Sequence, residues 1–254
     1  VRTARVKEIL TENGAVCGVA TEKERFDANS VILATGGVSY PTTGSTGDGY
    51  AMAKALGHTV VEPQGSLVPL ETAGTDCPDM QGLSLRNVGV KLLNAKGKVL
   101  YKDFGELLFT HFGISGPTAL SASAHLKGEG CVMQIDLKPA LDNEQLDKRI
   151  QKDFKENINR QFRNSLGALL PSRMAEYIIE ISGINPYVQV NSVTQQERRH
   201  LCELLKNLTF HVEKLGGYRE AVITRGGVNV KEINPVTMES KIVSGFFFAG
   251  EVLD

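Results

Sequence analysis

No apolar run in this chain approaches the roughly 20 residues that cross a bilayer, and no basic stretch followed by an apolar one opens it. Neither a membrane-spanning helix nor a secretory leader is read, and the expected compartment is the cytoplasm. Tryptophan is absent, which constrains little. Charge of either sign is not in excess: 28 Lys and Arg face 29 Asp and Glu, for a net charge of −1. That balance argues against a nucleic-acid surface and against an anionic membrane surface. Cysteines are few and scattered, at Cys17, Cys77, Cys131 and Cys202, with no C-x-x-C pair. Zinc and a disulfide framework are both read out, leaving free thiols in a reducing compartment. No two histidines stand at metal-ligand spacing, so no metal is expected. Internal repeats and low-complexity tracts are also missing.

What is present begins with two short strand-to-glycine junctions far apart in sequence. One is Val31-Ile32-Leu33-Ala34-Thr35-Gly36-Gly37; the other is Phe246-Phe247-Phe248-Ala249-Gly250-Glu251. Each is an apolar run that stops at small residues. A strand buried on both faces of a parallel sheet reads this way where its carboxyl end opens onto a ligand. Together they predict one nucleotide site built from distant segments. The stretch between them reads as an insertion. A chain of 254 residues with an apolar fraction of 41% suits two structural units with real cores.

Residues 2–10 and 15–21 alternate around Asn13-Gly14, a hairpin signal, and Glu22 to Asp27 reads as a third strand. Next comes the glycine-rich loop Gly44-Ser45-Thr46-Gly47-Asp48-Gly49, and Tyr50 to Leu56 has helical composition with Gly57 as its stop. The loop can form an anion-binding nest or simply cap the helix. It lacks the lysine of a Walker loop, which weakens any kinase or ATPase reading. Asp48 there either hydrogen-bonds a ligand hydroxyl or serves the helix end. From about Val60 the character changes to β-type runs over 83–101 with a hairpin at Asn94-Ala95-Lys96-Gly97, then strands at Leu107 to Thr110 and Cys131 to Leu137. Residues 142–181 are helix-rich, Thr194 to Lys206 is amphipathic behind a Thr194/Glu197 capping box, and strands return at Leu208 to Val212 and Ala221 to Thr224. The charged run Asp147 to Arg163 reads as a solvated helix face.

Two further motifs invite chemistry. Thr224-Arg225-Gly226-Gly227-Val228 is a third strand-to-glycine junction, where paired glycines permit positive φ and close approach of a flat ring. In Phe109-Thr110-His111-Phe112-Gly113-Ile114-Ser115-Gly116-Pro117, His111 is placed to act as a general acid or base near neutral pH, whereas Ser115 has no Ser/His/Asp framework. The remaining histidines, His58, His125, His200 and His211, read as structural.

The order of these motifs, with Ser39-Tyr40-Pro41, the segment Pro235 to Lys241 and Ala249-Gly250-Glu251-Val252-Leu253-Asp254, resembles the YhiN/BaiN-like flavoproteins, also labelled aminoacetone-oxidase-family FAD-binding enzymes. The resemblance spans the whole chain. It implies an α/β fold: part of a two-dinucleotide-type FAD-binding domain, at 1–65 and 216–254, with an insert at 66–215. The insert would hold a β-barrel at about 66–138 and a helical subdomain at about 139–207. It implies FAD as cofactor, and with it NAD(P)H as electron donor and hydride transfer to a small-molecule substrate. Carried over by motif, Val6 would meet the adenine through its backbone, and Thr35, Gly36 and Gly37 would lie near the pyrophosphate and adenosine. Gly226, Gly227 and Val228 would approach the isoalloxazine, and Gly250, Glu251 and Asp254 would bind the ribitol-pyrophosphate region. His111, read from its own motif and not carried over, is the expected proton donor. The family's Gly-rich fingerprint is expected before Val1 and a glycine turn with a helix after Asp254, so the chain reads as a fragment. The alternative is a binding module, in which the inserted barrel recognises a partner and the flavin scaffold does no redox work.

Overall fold

The computed structural model describes residues 4–126, 128–217 and 219–254. In chain order the elements are β1 (Val6–Glu12), β2 (Ala15–Thr21), β3 (Arg25–Asp27), β4 (Val31–Leu33), α1 (Asp48–Ala55), β5 (Val60–Ser66) and β6 (Leu70–Thr72). They continue with α2 (Asp76–Asp79), β7 (Ser84–Leu93), β8 (Val99–Thr110), β9 (Gly113–Ser115), α3 (Pro117–Ser123) and β10 (Cys131–Asp136). The last are α4 (Asn143–Glu156), α5 (Ser172–Ile181), α6 (Gln195–Lys206), β11 (Leu208–Leu215), β12 (Ile223–Val228) and β13 (Phe246–Phe248). The chain divides into two compact units, Val1–Val68 with Gly216–Asp254, and Pro69–Leu215. No described helix is long and apolar enough to cross a membrane. No disulfide joins the four cysteines among the described residues.

The Pro69–Leu215 unit is built around a closed six-stranded barrel in the order β10-β11-β6-β9-β8-β7. Closure leaves no strand edge unpaired. The sequence alone ends the barrel near residue 138; the sixth strand, β11, comes from beyond the helices and pairs with both β10 and β6. Alternation fills the interior: Val88, Val90 and Leu92 of β7 and Cys131, Met133 and Ile135 of β10 are all buried. Phe109 meets Phe210 edge to face, with ring centres 5.5 Å apart. Helices α4, α5 and α6 come between β10 and β11 in the chain. Both α4 and α6 begin with full capping boxes, Asp142 with Gln145 and Thr194 with Glu197, so each start satisfies two amides that would otherwise lack partners. Asp147 on α4 pairs with Arg198 on α6. Lys206 fixes the end of α6 through Asp136 at 2.6 Å and the carbonyl of Leu141 at 2.6 Å.

The other unit holds three small sheets: antiparallel β1-β2-β3, antiparallel β12-β5 and the parallel pair β13-β4. The hairpin at Asn13-Gly14 forms, with both residues at positive φ, as a type I′ turn needs. The predicted first strand starts at Val6; Arg2 and Thr3 fall outside the described residues. Strand β5 carries Pro63 and escapes a pattern reading. Burial of β4 also differs from expectation. Leu33 is 4% exposed but Ile32 is 67% exposed, because among the described residues of this unit only one strand pairs with β4 and Ile32 is left uncovered.

Beneath β13 lies a buried polar knot. The His58 ring packs edge-on against Phe246 and Phe248. Its Nδ1 is 3.0 Å from Glu232 Oε2 and its Nε2 is 2.8 Å from Ser240 Oγ. Ser240 Oγ already accepts the amides of Ile242 and Val243, so its single proton goes to Nε2. With Nε2 accepting from Ser240, it is Nδ1–H that donates to Glu232. Glu232 also accepts the Thr59 amide at 2.9 Å. Burial disfavours its charge, but Thr59 and His58 outweigh that and hold its carboxyl below the ordinary range. His58 is structural, as its isolation in the sequence suggests.

Candidate functional site

The parallel pairing of β4 and β13 sets Phe246 opposite Val31, Phe247 opposite Ile32 and Phe248 opposite Leu33. The Ala249 amide extends it by donating to the Leu33 carbonyl at 3.1 Å. Both segments consequently leave the sheet at the same end, and the two junctions separated by most of the sequence become neighbours. Ligands of open α/β sheets sit at that end. The turns there use positive φ, +73° at Gly36 and +78° at Gly250. A Cβ at Gly36 would lie 2.6 Å from Ser45 Oγ, so the glycine-rich loop closes over that residue; a Cβ at Gly250 would meet nothing within 4 Å. Gly250 presents open backbone. Thr35 Oγ1 is buried and has no hydrogen-bond partner among the described residues. It fits against the start of α1 only because residue 49 is glycine, where a Cβ would stand 2.1 Å from that oxygen.

Side chains tie the junctions together. Thr224 Oγ1 accepts the amides of Val38 at 2.8 Å and Ser39 at 3.1 Å and donates to Ser39 Oγ at 3.3 Å. Ser39 Oγ donates in turn to Glu251 Oε2 at 3.3 Å, and the Tyr50 hydroxyl donates to the Glu251 carbonyl at 3.3 Å. Burial, with the Glu251 charge nearby, holds the Tyr50 hydroxyl above its ordinary pKa. Ser39, Tyr50 and Thr224 all fall within or beside the sequence motifs, but the motifs assign them no role. Only the register of distant segments brings these hydroxyls together, and no spacing in the sequence signals it.

Gly226, Gly227 and Val228 lie where β12 departs from regular pairing with β5, between Arg225 and Gly227. A Cβ at Gly226 would fall 2.5 Å from the Glu62 carbonyl oxygen, and one at Gly227 would fall 2.8 Å from the Val252 carbonyl oxygen. The protein's own backbone occupies the space these glycines leave. Their effect is to draw Val228 beside the 252–254 segment: its amide donates to the Val252 carbonyl at 2.8 Å and its carbonyl accepts the Asp254 amide at 3.0 Å. The Asp254 residue is exposed.

Val6 lies on β1, lining a cleft of about 740 Å³ with Ile9, Met52 and Leu56. In the same cleft Asp48 pairs with Arg5 through Nη2 at 2.6 Å and Nε at 2.9 Å. That hydrogen bond holds the Asp48 carboxyl below its ordinary range. The helix cap is Gly47, not Asp48. His111 stands exposed in the turn between β8 and β9, its ring edge-on to Phe112. It belongs to the barrel unit, unlike every other residue the resemblance points to. Among the described residues no cluster of His, Cys, Asp and Glu suits a metal ion.

The model of the HI0933-like protein barrel and H2TH domain matches residues 64–223. A ribosomal RNA dihydrouridine synthase of Haemophilus influenzae is 35% identical over 99% of this chain and 60% of its own length. The chain belongs to the HI0933-like family. It is also 30% identical to a ribosomal RNA dihydrouridine synthase of Escherichia coli, over 88% of this chain and 54% of the relative. A 3-dehydro-bile acid delta(4,6)-reductase of Clostridium scindens is 27% identical over 93% of this chain and 58% of the relative. The chain thus spans somewhat over half the length of these HI0933-like relatives.

These names overturn one expectation. Near-zero net charge argues against a nucleic-acid partner, yet two HI0933-like relatives are named for ribosomal RNA. The physical reason is that net charge is a sum and binding is local. From Lys148 to Arg163 six basic residues stand against two acidic ones, an asymmetry the whole-chain total hides.

Proposed function

We propose that this chain is the greater part of an FAD-dependent oxidoreductase that saturates a carbon–carbon double bond conjugated to a carbonyl. The observation that carries the reading is the side-by-side exit of the Leu33–Gly36 and Phe248–Glu251 segments from one parallel strand pair. The names of the relatives support the reaction class. A dihydrouridine synthase and a delta(4,6)-reductase of 3-dehydro bile acids make the same chemical demand, a hydride and a proton added across such a bond. A base of ribosomal RNA is the preferred substrate, because the more similar relatives carry that name.

The residues present fit the cofactor. Open backbone at Gly250 allows close approach, and the unpartnered Thr35 hydroxyl can donate to a phosphate or ribose oxygen. Glu251, oriented by Ser39, is placed to accept from a hydroxyl. Val6 would lie along the adenine, and Asp254 is free to meet the ribitol-pyrophosphate region. Gly226 and Gly227 act indirectly, by setting Val228 beside Leu253. When bound, FAD supplies the hydride, and NAD(P)H is the electron donor that reloads it. The chain's own part is to bind, to orient and to provide the proton, for which His111 is the candidate.

The test is an anaerobic visible spectrum of the full-length protein. Two flavin bands that bleach on adding NADH or NADPH are expected, with reoxidation by a uridine-containing ribosomal RNA fragment. A protein that stays colourless and takes up no added FAD would overturn the reading and leave a binding module. With turnover established, His111→Ala is expected to slow it, and unchanged turnover would remove His111 from the proton path.

A further inference from the structure

The segment Gln161–Arg163 lies antiparallel to Pro186–Val190. The Phe162 amide donates to the Val188 carbonyl at 2.9 Å, the Arg163 amide to the Pro186 carbonyl at 2.9 Å, and the Val190 amide to the Arg160 carbonyl at 3.0 Å. Phe162 anchors the pair in the core with no exposed surface. At the outer corner Asn185 Oδ1 accepts the Tyr187 amide at 3.0 Å, fixing the turn that carries Tyr187. Tyr187 itself is 64% exposed, and the Arg163 guanidinium sits over its ring at 5.3 Å. Arg160 and Arg163 are exposed and make no ion pair among the described residues. The helix that leads into the segment, α4, adds exposed Lys148, Lys152 and Lys155 at helical spacing along one shallow cleft.

We propose that Tyr187, with Arg160 and Arg163, is a docking platform for an unpaired segment of RNA. The inference rests on the reading that the whole protein acts on RNA. A rigidly held, exposed aromatic face flanked by guanidinium groups meets the two demands of single-stranded nucleic acid, a surface on which a base stacks and cations for the phosphates beside it. The chemistry favours RNA over a protein partner, because exposed Arg160, Arg163, Lys148, Lys152 and Lys155 make the surface basic and Tyr187 supplies an exposed aromatic ring within it. The Arg163 guanidinium, 5.3 Å from the ring centre, places a cation beside the ring on which a base would stack. This replaces the reading of Asp147 to Arg163 as a purely solvated face.

The test is fluorescence anisotropy of an end-labelled single-stranded uridine-rich RNA with the full-length protein. A fully paired hairpin of equal length serves as competitor, and circular dichroism melting checks the fold of each variant. Tyr187→Ala is expected to weaken binding by about tenfold or more, the loss of one stacked base, and Tyr187→Phe to stay within about twofold of the parent. Arg160→Ala is expected to lower the slope of log affinity against log salt by about 0.7, one phosphate's worth. The hairpin is expected to compete poorly. Unchanged binding in Tyr187→Ala, or equal loss in Tyr187→Phe, overturns the platform. The dihydrouridine content of ribosomal RNA from cells carrying the full-length protein separates the two ideas. Dihydrouridine made normally by a Tyr187→Ala variant with normal binding sinks the platform and keeps the function. Tyr187-dependent binding without any dihydrouridine does the reverse.

Discussion

The two units solve opposite problems. The barrel unit closes its sheet on itself, pairs every strand twice and buries one continuous core from Leu70 to Val212. The unit at the chain ends has three sheets of two or three strands and a smaller core around Phe246, Phe248 and Val252. It leaves Ile32 on β4 and Val61 on β5 exposed. A closed barrel needs nothing else to satisfy its edges, whereas open strand ends with glycine turns are what a ligand site requires. The larger core thus lies in the barrel unit and the strand-to-glycine junctions in the other.

The sharpest way to break that contrast is to cut one large residue from each. Phe109→Ala removes a fully buried ring and should cost about 3–5 kcal/mol. Ile32→Ala removes an apolar side chain that is 67% exposed and should change stability by less than about 1 kcal/mol. Urea unfolding, with hydrogen exchange to tell the β7–β8 amides from those of β12, measures both. A loss on Ile32→Ala as large as on Phe109→Ala would mean that the first unit has a core not visible in its packing.

Two glycines sharpen the comparison inside the site-bearing unit. Gly227→Ala forces a Cβ to within 2.8 Å of the backbone at Val252 and should destabilise that unit by about 2–3 kcal/mol. Gly250→Ala meets open space, so only its positive φ is penalised, by about 1 kcal/mol. FAD uptake should respond in the other direction, with Gly250→Ala blocking approach at little loss of fold. Equal unfolding midpoints for the two variants would show that the 252–254 segment yields rather than holds.

Much of the molecule is legible in its sequence. Local rules predict the hairpin at Asn13-Gly14, the capping box at Thr194 and the alternating barrel strands, because each depends on residues within a few positions of one another. The family can be read from motif order alone. What escapes depends on pairing across the chain. The Thr224–Ser39–Glu251 relay joins residues that only tertiary register brings together. β5 hides behind Pro63, and β11 completes the barrel from across the helical insertion. The expectation of no nucleic-acid partner conflicts with the names of two relatives, and composition could not warn of it because it averages charge over the whole chain.

In the barrel unit, Thr194→Ala tests how far that stability is distributed. The variant removes the hydroxyl that accepts the Glu197 amide and unmakes the α6 capping box. A loss of about 1 kcal/mol is expected in urea unfolding, shared with Glu197→Ala because the two act as one motif. Additive losses in the double variant would show that the two residues act separately.

The smallest effect lies in the polar knot under β13. Glu232 has its folded-state pKa depressed below 4.5. A depressed carboxyl contributes stability that is present above its unfolded pKa and is lost as pH falls through the folded value. In Glu232→Gln the amide oxygen can still accept from His58 Nδ1–H and the Thr59 amide, so little should change at pH near 7. Below the ordinary carboxylate range the parent should lose stability that the variant does not. The other depressed carboxyls, Asp48, Asp147, Glu22 and Glu197, titrate in both proteins and cancel in the difference. Urea midpoints for the two proteins, from neutral pH down through the acid range, read that difference directly. Parallel curves would mean that the His58 ring is held by Ser240 and the two phenylalanines alone, and that the knot is packing with polar atoms in it rather than a charge-dependent tie.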